Sequence, residues 1–180
     1  CLIKFGGWIT VTNLVGPIMV YFDRFFLSAF VPLSQIAYYT TPYEVSSRLL
    51  IIPSSVARVL FPSATTIYLE SKSRIQELVT KATKLVLVYS LPPLVILFIA
   101  AKPGLSIWLG IEFANQSSLI FQILIVGVFF NGLATVPYTI IQSAGRPDLT
   151  AKLHLMELPF YLLALWYLAS TYGILGAAIA

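Results

Sequence analysis

The sequence predicts an all-α, polytopic transmembrane helix bundle, with residues 1–180 forming a single transmembrane domain. Three observations carry this. First, hydrophobic residues make up 58% of the chain and charged residues only 10%, against roughly 25% charged in soluble domains. So little charge cannot cover the surface of a water-soluble protein of 180 residues. Second, the apolar residues fall in blocks of the length a bilayer demands, about 20 residues of helix. Third, the basic residues alternate from one connection to the next, as the positive-inside rule requires.

Five complete spans and the start of a sixth follow from the blocks: about 8–31, 42–68, 85–101, 119–142, 150–169 and 174–180. The third is short. It extends backward as an amphipathic helix from Ser73, where Ser73-Arg74-Ile75-Gln76 has capping-box spacing. The stretch PLSQIAYYTT reads as the first outer loop, with Tyr38, Tyr39 and Tyr43 as interfacial rings at a helix start, and Trp108 falls in another outer loop. A β-barrel would show alternating segments of about 10 residues, and these runs are solidly apolar. The chain opens on Cys1 and stops inside the apolar run GILGAAIA, so it is expected to be an excerpt of a longer protein.

Seven basic residues (Lys4, Lys72, Arg74, Lys81, Lys84, Arg146 and Lys152) lie on one side of the expected spans, and Lys102 alone lies on the other. That places residue 1 and the 69–84 and 143–152 loops in the cytoplasm. The net charge of +4 is explained by this topology. Nucleic acid is not expected as a partner, because no basic run accompanies stacking aromatics on a solvated face. Cys1 is the only cysteine and His154 the only histidine, so neither an internal disulfide nor a metal centre of the usual zinc kind is expected.

Charges inside the spans are the informative residues, since a charge at the bilayer centre costs about 2.5–3.5 kcal/mol on insertion scales and faces a bundle interior or a water-filled cavity. Asp23 and Arg24 fall in the first span. The second holds Glu44, Arg48 and Arg58. On a regular helix Glu44, Arg48, Ile51, Ser55, Arg58 and Pro62 share an arc of about 80°. Glu44 and Arg48 have the favourable i,i+4 order for a local pair. Arg58 has no acid one turn away and needs a partner elsewhere, or a substrate. Pro53 and Pro62 each free a carbonyl one turn back, which predicts a bent helix lining a cavity.

A second polar stripe joins Asn131, Thr135, Tyr138 and Gln142. His154 and Glu157 stand one turn apart near the cytoplasmic end of the fifth span. Each cluster also has a structural reading. Asp23–Arg24 and Glu44–Arg48 read equally as packing ion pairs, Asn131 and Thr135 as interhelical hydrogen bonds, and His154–Glu157 as a structural pair or a proton relay. No glycine-rich phosphate loop, nucleophile elbow or pair of aqueous carboxylates occurs, and the loops are short. That argues for transport over catalysis, so the chain is not expected to be an enzyme.

Four ordered segments resemble the Wzx-type oligosaccharide flippases of the MOP exporter superfamily: FGGWITVTNLVGPIMVYFDRFFL, AYYTTPYEVSSRLLIIPSSVARVLFP, SAGRPDLTAKLHLMELPFYL and YGILGAAIA. The resemblance covers most of the chain and implies the C-terminal lobe of a two-lobe transporter, helices seven to eleven and the start of twelve. It implies translocation of an undecaprenyl-pyrophosphate-linked oligosaccharide across the bacterial inner membrane by alternating access. The glycan would serve O-antigen, exopolysaccharide or capsule synthesis. A gradient of H+ or Na+ is the implied drive, with no cofactor. The implied partners are the lipid-linked oligosaccharide, membrane lipids, and a polysaccharide polymerase with its chain-length proteins. Arg24, Arg48 and Arg58 would meet the pyrophosphate, since arginine stays charged and binds phosphate in a forked geometry. Asp23 and Glu44 would balance them or couple to the ion, and Ser55, Asn131 and Gln142 would line the cavity. The competing readings are another exporter of the superfamily, a lipid II flippase or a multidrug–cation antiporter, and a membrane glycan polymerase.

Overall fold

A computed structural model describes residues 2–68 and 72–180. Its elements are α1 (Leu2–Leu27), α2 (Leu33–Ser47), α3 (Ile51–Tyr68), α4 (Lys72–Ile99), α5 (Ala101–Leu109), α6 (Ile111–Ser143), α7 (Pro147–Tyr172) and α8 (Ile174–Ile179). A single 3-10 turn at Arg48–Leu50 joins α2 to α3. Among the described residues there is no strand. The segments Leu33–Ile67, Ser73–Ile99, Ile111–Ser143 and Pro147–Tyr172 are each long and apolar enough to cross a membrane. The fold is thus the expected all-α polytopic bundle. Cys1 and the 69–71 part of the expected cytoplasmic loop lie outside the described residues, and of Lys4 and Lys72 only the backbone is described.

Helix limits depart from the sequence reading in three places. α1 stops at Leu27, not near Val31, and a turn at Ser28–Val31 bonds back to residues 24–27. The stretch taken as the first outer loop is helical from Leu33, because Ile36 and Tyr39 bury one face against Leu27 and Leu165. Pro42 sits inside that helix, not at its start. Residues 102–118 are also helical apart from Gly110. Ala101 and Leu105 of α5 fold back on Ala114 and Phe121 of α6, and Gly110 makes the reversal at φ +94°, a conformation open to glycine. Trp108 therefore stands on a helix. α4 runs from Lys72 to Ile99, so the third span does extend backward to the region of Ser73 as expected.

Three buried clusters hold the helices. Leu27, Ile36, Tyr39, Ile120, Leu165, Ala169 and Ala177 gather α1, α2, α6, α7 and α8. Leu94, Ala101, Leu105, Ala114, Phe121 and Ile125 lock the α4–α5 arm to α6. Leu60, Ala82, Val86 and Val136 join α3, α4 and α6 nearer the end that carries Arg74, Lys81, Arg146 and Lys152, here termed the basic end. In lipid such packing depends on close approach, which favours small residues. Gly132 meets the ring of Pro53, and a Cβ on Gly176 would overlap the carbonyl of Leu168. Large apolar side chains such as Phe25, Val59, Phe160 and Trp166 remain exposed, as a bilayer permits and water does not.

One relation positions the site. α1 packs along α7, while α3 packs on α6 and α4; α1 meets α2 only near Asp23–Leu27. Among the described residues α1 and α3 do not touch. The two helices therefore diverge from a closed end at Arg24 toward the basic end.

Candidate functional site

The closed end of this cleft is a charge and tyrosine cluster. Asp23 is buried at 4% exposure, in the last full turn of α1. Its Oδ1 accepts the backbone N–H of Arg24 at 2.6 Å, and its Oδ2 accepts the hydroxyl of Tyr39 from α2. Tyr39 is itself buried in the core between α1 and α7. A buried carboxylate is tolerable only when it is hydrogen-bonded, and these two donors meet that need.

Arg24 points the other way. Its Nη2 donates to Glu44 Oε1 at 2.6 Å, and its guanidinium lies 5.4 Å from the ring centre of Tyr21 and 5.0 Å from that of Tyr43. The Glu44 side chain is half exposed, so the pair contributes at most about 1 kcal/mol as an exposed ion pair. The guanidinium keeps a donor in reserve: Nε is shielded and has no hydrogen-bond partner. Beside it, Tyr21, Arg24, Phe25, Ser28, Leu33, Ile36 and Thr40 line a cavity of about 510 Å3 between α1 and α2.

The expected Glu44–Arg48 pair is not formed. Arg24 of a different helix takes the carboxylate, and Arg48 begins the 3-10 turn. Winding at 3.0 instead of 3.6 residues per turn over three residues rotates α3 by about 60° relative to α2. The stripe is therefore wider than the arc drawn on a regular helix. All six of its members, Glu44, Arg48, Ile51, Ser55, Arg58 and Pro62, are exposed. Among the described residues neither Arg48 nor Arg58 has a side-chain hydrogen bond or ion pair. Ser55 turns its hydroxyl onto the carbonyl of Ile51 at 2.7 Å.

The α6 stripe is separate. Gln142 Nε2 donates to the Tyr138 oxygen at 2.8 Å, Thr135 donates to the Asn131 carbonyl, and the Asn131 side chain is exposed. His154 Nδ1 stands 3.6 Å from Glu157 Oε2 without a hydrogen bond, beside Tyr138. Among the described residues no three His, Cys, Asp or Glu side chains converge as a metal site would require.

The structure thus brings Asp23, Arg24 and Glu44 together, leaves Arg48, Ser55 and Arg58 as an open row, and sets Asn131 and Gln142 apart on α6. Sequence reasoning gave Tyr39 and Tyr43 only an interfacial role and passed over Tyr21. A signal existed: Asp23 has only Met19 and Leu27 at i±4, and Tyr39 and Tyr43 repeat at helical spacing on the following element.

Residues 1–118 match the model of a family described as polysaccharide biosynthesis protein. A protein from Shigella flexneri named as an O-antigen transporter is 38% identical over 179 residues, which cover 99% of this chain and 42% of that protein. A protein from Haloferax volcanii named as a low-salt glycan biosynthesis flippase is 23% identical over 186 residues, covering 99% of this chain and 38% of that protein. The chain therefore spans about two fifths of the length of these relatives. No solved structure gives a significant match.

Proposed function

The chain belongs to the polysaccharide biosynthesis protein family, and from that membership we propose that it is one lobe of a carrier for lipid-linked oligosaccharide. The Wzx-type resemblance seen in its segments agrees with the relatives it matches. In this reading an undecaprenyl-pyrophosphate-linked glycan crosses the bacterial inner membrane by alternating access, for surface polysaccharide synthesis. Residue 1 and the connections at 69–84 and 143–152 face the cytoplasm. The chain supplies five full spans and the start of a sixth, no catalytic group and no cofactor, and H+ or Na+ is the coupling ion. A polymerase and chain-length proteins act on the delivered glycan.

The observation that carries the reading is the open row of Arg48 and Arg58. Two guanidinium groups stand exposed on a membrane-spanning segment, and among the described residues neither forms an ion pair. Such charge is costly in lipid unless it lines an aqueous path, and guanidinium forks suit phosphate oxygens. Arg24, held by Glu44 at the closed end of the cleft, is the third cation. An anion arriving there would displace Glu44 and meet the unused Nε. Asp23 fixes the backbone that presents Arg24. Ser55, Asn131 and Gln142 are lesser polar contacts along the walls.

The test is complementation. The full-length gene is placed in a strain lacking its polysaccharide flippase, and wild type is compared with Arg58→Ala for surface glycan at equal membrane abundance. Restored glycan with wild type and at least a tenfold loss with the variant is the expected result. Failure of wild type with several glycan types, together with drug efflux, would replace the reading with an antiporter. Full export by the variant would remove Arg58 from the path.

A further inference from the structure

We propose that His154 and Glu157 form a proton-binding site at the joint between α6 and α7, and that a proton is the ion coupled to the carrier. The coupling half of this rests on the carrier reading above. His154 is the single histidine of the chain. Its Nδ1 is shielded from solvent, has no hydrogen-bond partner and stands 3.6 Å from Glu157 Oε2. Neither neutral form of the imidazole satisfies that atom. A bare Nδ1 sets a lone pair against a carboxylate, and an Nδ1–H at this distance is a donor left unused. A shielded polar atom without a partner calls for a reason, and an added proton supplies one. The imidazolium turns Nδ1–H into a charge-assisted donor, which closes on a carboxylate at about 2.7–2.9 Å.

The proton has a way in. The Glu157 side chain is 63% exposed, so it takes a proton at Oε2 and passes it to Nδ1. The carboxylate is regenerated beside the imidazolium, and the pair goes from one net negative charge to none. Histidine is the side chain that ordinarily changes charge between about pH 5 and 8. The charges around it are already engaged or distant. On α7, Lys152 and Asp148 stand 3.8 Å apart, Asp148 also holds Arg146, and Lys152 lies over Trp8 of α1. α6 presents Tyr138, whose oxygen accepts from Gln142. The described titratable side chains of α1 (Tyr21, Asp23 and Arg24) belong to the closed end, and α8 has none. The Lys4 side chain lies outside the described residues, one turn beyond Trp8.

The place of the pair gives the proton leverage. α7 packs along α1 and α8, while α6 packs along α3 and α4. The cleft lies between α1 and α3, so its two walls belong to different sets of helices. α6 and α7 join these sets. They share the cluster of Ile120 and Leu165 at the closed end. Nearer the basic end a cavity of about 300 Å3 holds them apart, with Pro137 and Tyr138 on one wall and Leu153, His154 and Glu157 on the other. The Tyr138 ring reaches across to His154, with ring centres 6.0 Å apart. A cation within about 6 Å of an aromatic ring is drawn to its face, and a neutral imidazole lacks that attraction. Loading the proton therefore pulls α7 toward α6 and biases the angle between the two walls of the cleft.

The test uses the full-length protein in vesicles of phosphatidylethanolamine and phosphatidylglycerol, with an undecaprenyl-pyrophosphate-linked disaccharide as probe. Movement of the probe is read by its loss to a glycosidase added outside. A pH gradient should speed that movement at least fivefold over no gradient, and a sodium gradient should not. His154→Gln should bring the two rates together, whereas a purely structural role would slow both and keep their ratio. Should His154→Gln fail to fold, Glu157→Gln, at an exposed side chain, should lower the ratio at least twofold. A ratio kept in a folded variant, or equal driving by sodium, would overturn the proposal. Solid-state NMR of the histidine-labelled protein in the same vesicles reads proton binding without any glycan. The resonance lost in His154→Gln should change from imidazole to imidazolium between about pH 8 and pH 5, and a signal that stays neutral throughout would overturn the proposal by itself. If His154 gains its proton as expected, yet the probe does not move and complementation yields no glycan, the carrier reading falls and the proton site stands.

Discussion

Tyr39 of α2 donates its hydroxyl to the buried carboxylate of Asp23 on α1, and together with the Arg24–Glu44 pair this bond ties the two helices at the closed end of the cleft. Asp23 in turn receives the N–H of Arg24, so the contact that seals the helices also sets the direction of the site's most enclosed cation.

Tyr39→Phe keeps the ring in the core and removes only the hydroxyl. A buried acceptor stripped of its donor costs about 1–3 kcal/mol. The full-length protein in detergent should lose that much stability, read as a lower Tm. Asp23→Asn combined with Tyr39→Phe should cost less than the sum of the single changes, because the two residues share one interaction. Additive losses would show that the bond is not what holds them.

Glu44→Gln should separate binding from folding. The Arg24–Glu44 pair is partly exposed, so its loss should change stability by less than about 1 kcal/mol. Freed of its internal counter-ion, Arg24 should bind a polyprenyl pyrophosphate more tightly, by at least threefold in a direct binding titration. Arg24→Ala should weaken the same binding at least tenfold. Unchanged affinity in both variants would make the pair a purely structural tie.

Arg48→Ala and Arg58→Ala should leave the thermal transition unchanged, within about 0.5 kcal/mol, as for surface positions without a partner. Both side chains are exposed. A marked loss of stability in either variant would reveal a protein partner and weaken the case that these cations serve a substrate.

Gly176→Ala should be among the most damaging small substitutions. An added Cβ would overlap the backbone carbonyl of Leu168, and backbone cannot swing aside as a side chain can. α8 would shift and withdraw Ala177 from the cluster with Leu27 and Leu165. Overpacking of this kind costs about 1–3 kcal/mol or more. A lowered yield of folded protein and a lower Tm are expected, while Gly127→Ala, at a position with open space, should be neutral.

The helices were legible because apolar runs this long and this free of charge fit membrane-spanning helices and no soluble fold. What composition could not show was where polar segments join them. PLSQIAYYTT and the 102–118 stretch each hold one proline among serines, threonines, glycines and amides. Locally they read as loops, and only the burial of Ile36, Tyr39, Ala101 and Leu105 against other helices makes them helical. The site divides in the same way. Asp23, Arg24, Glu44, Arg48 and Arg58 stood out as charges among apolar neighbours. Their pairing did not, because spacing along one helix sees only i,i+4 partners, and Arg24 reaches Glu44 across twenty residues of sequence. From sequence Tyr39 reads as an interfacial ring, because a tyrosine at a helix end is equally at home in the lipid headgroups.

The 3-10 turn at Arg48–Leu50 gives α3 a mechanical character. Above the turn the rod packs on α6, α8 and α1, and below it on α6 and α4. The 18 residues of α3 form an arm about 27 Å long. A tilt of about 10° at the turn would carry the far tip of that arm through about 5 Å. Arg58 rides partway along this arm and Arg24 does not. Because α6 packs on the rod both above and below the turn, a pivot there would change the spacing between the two cations only if α6 and α4 shifted with the arm.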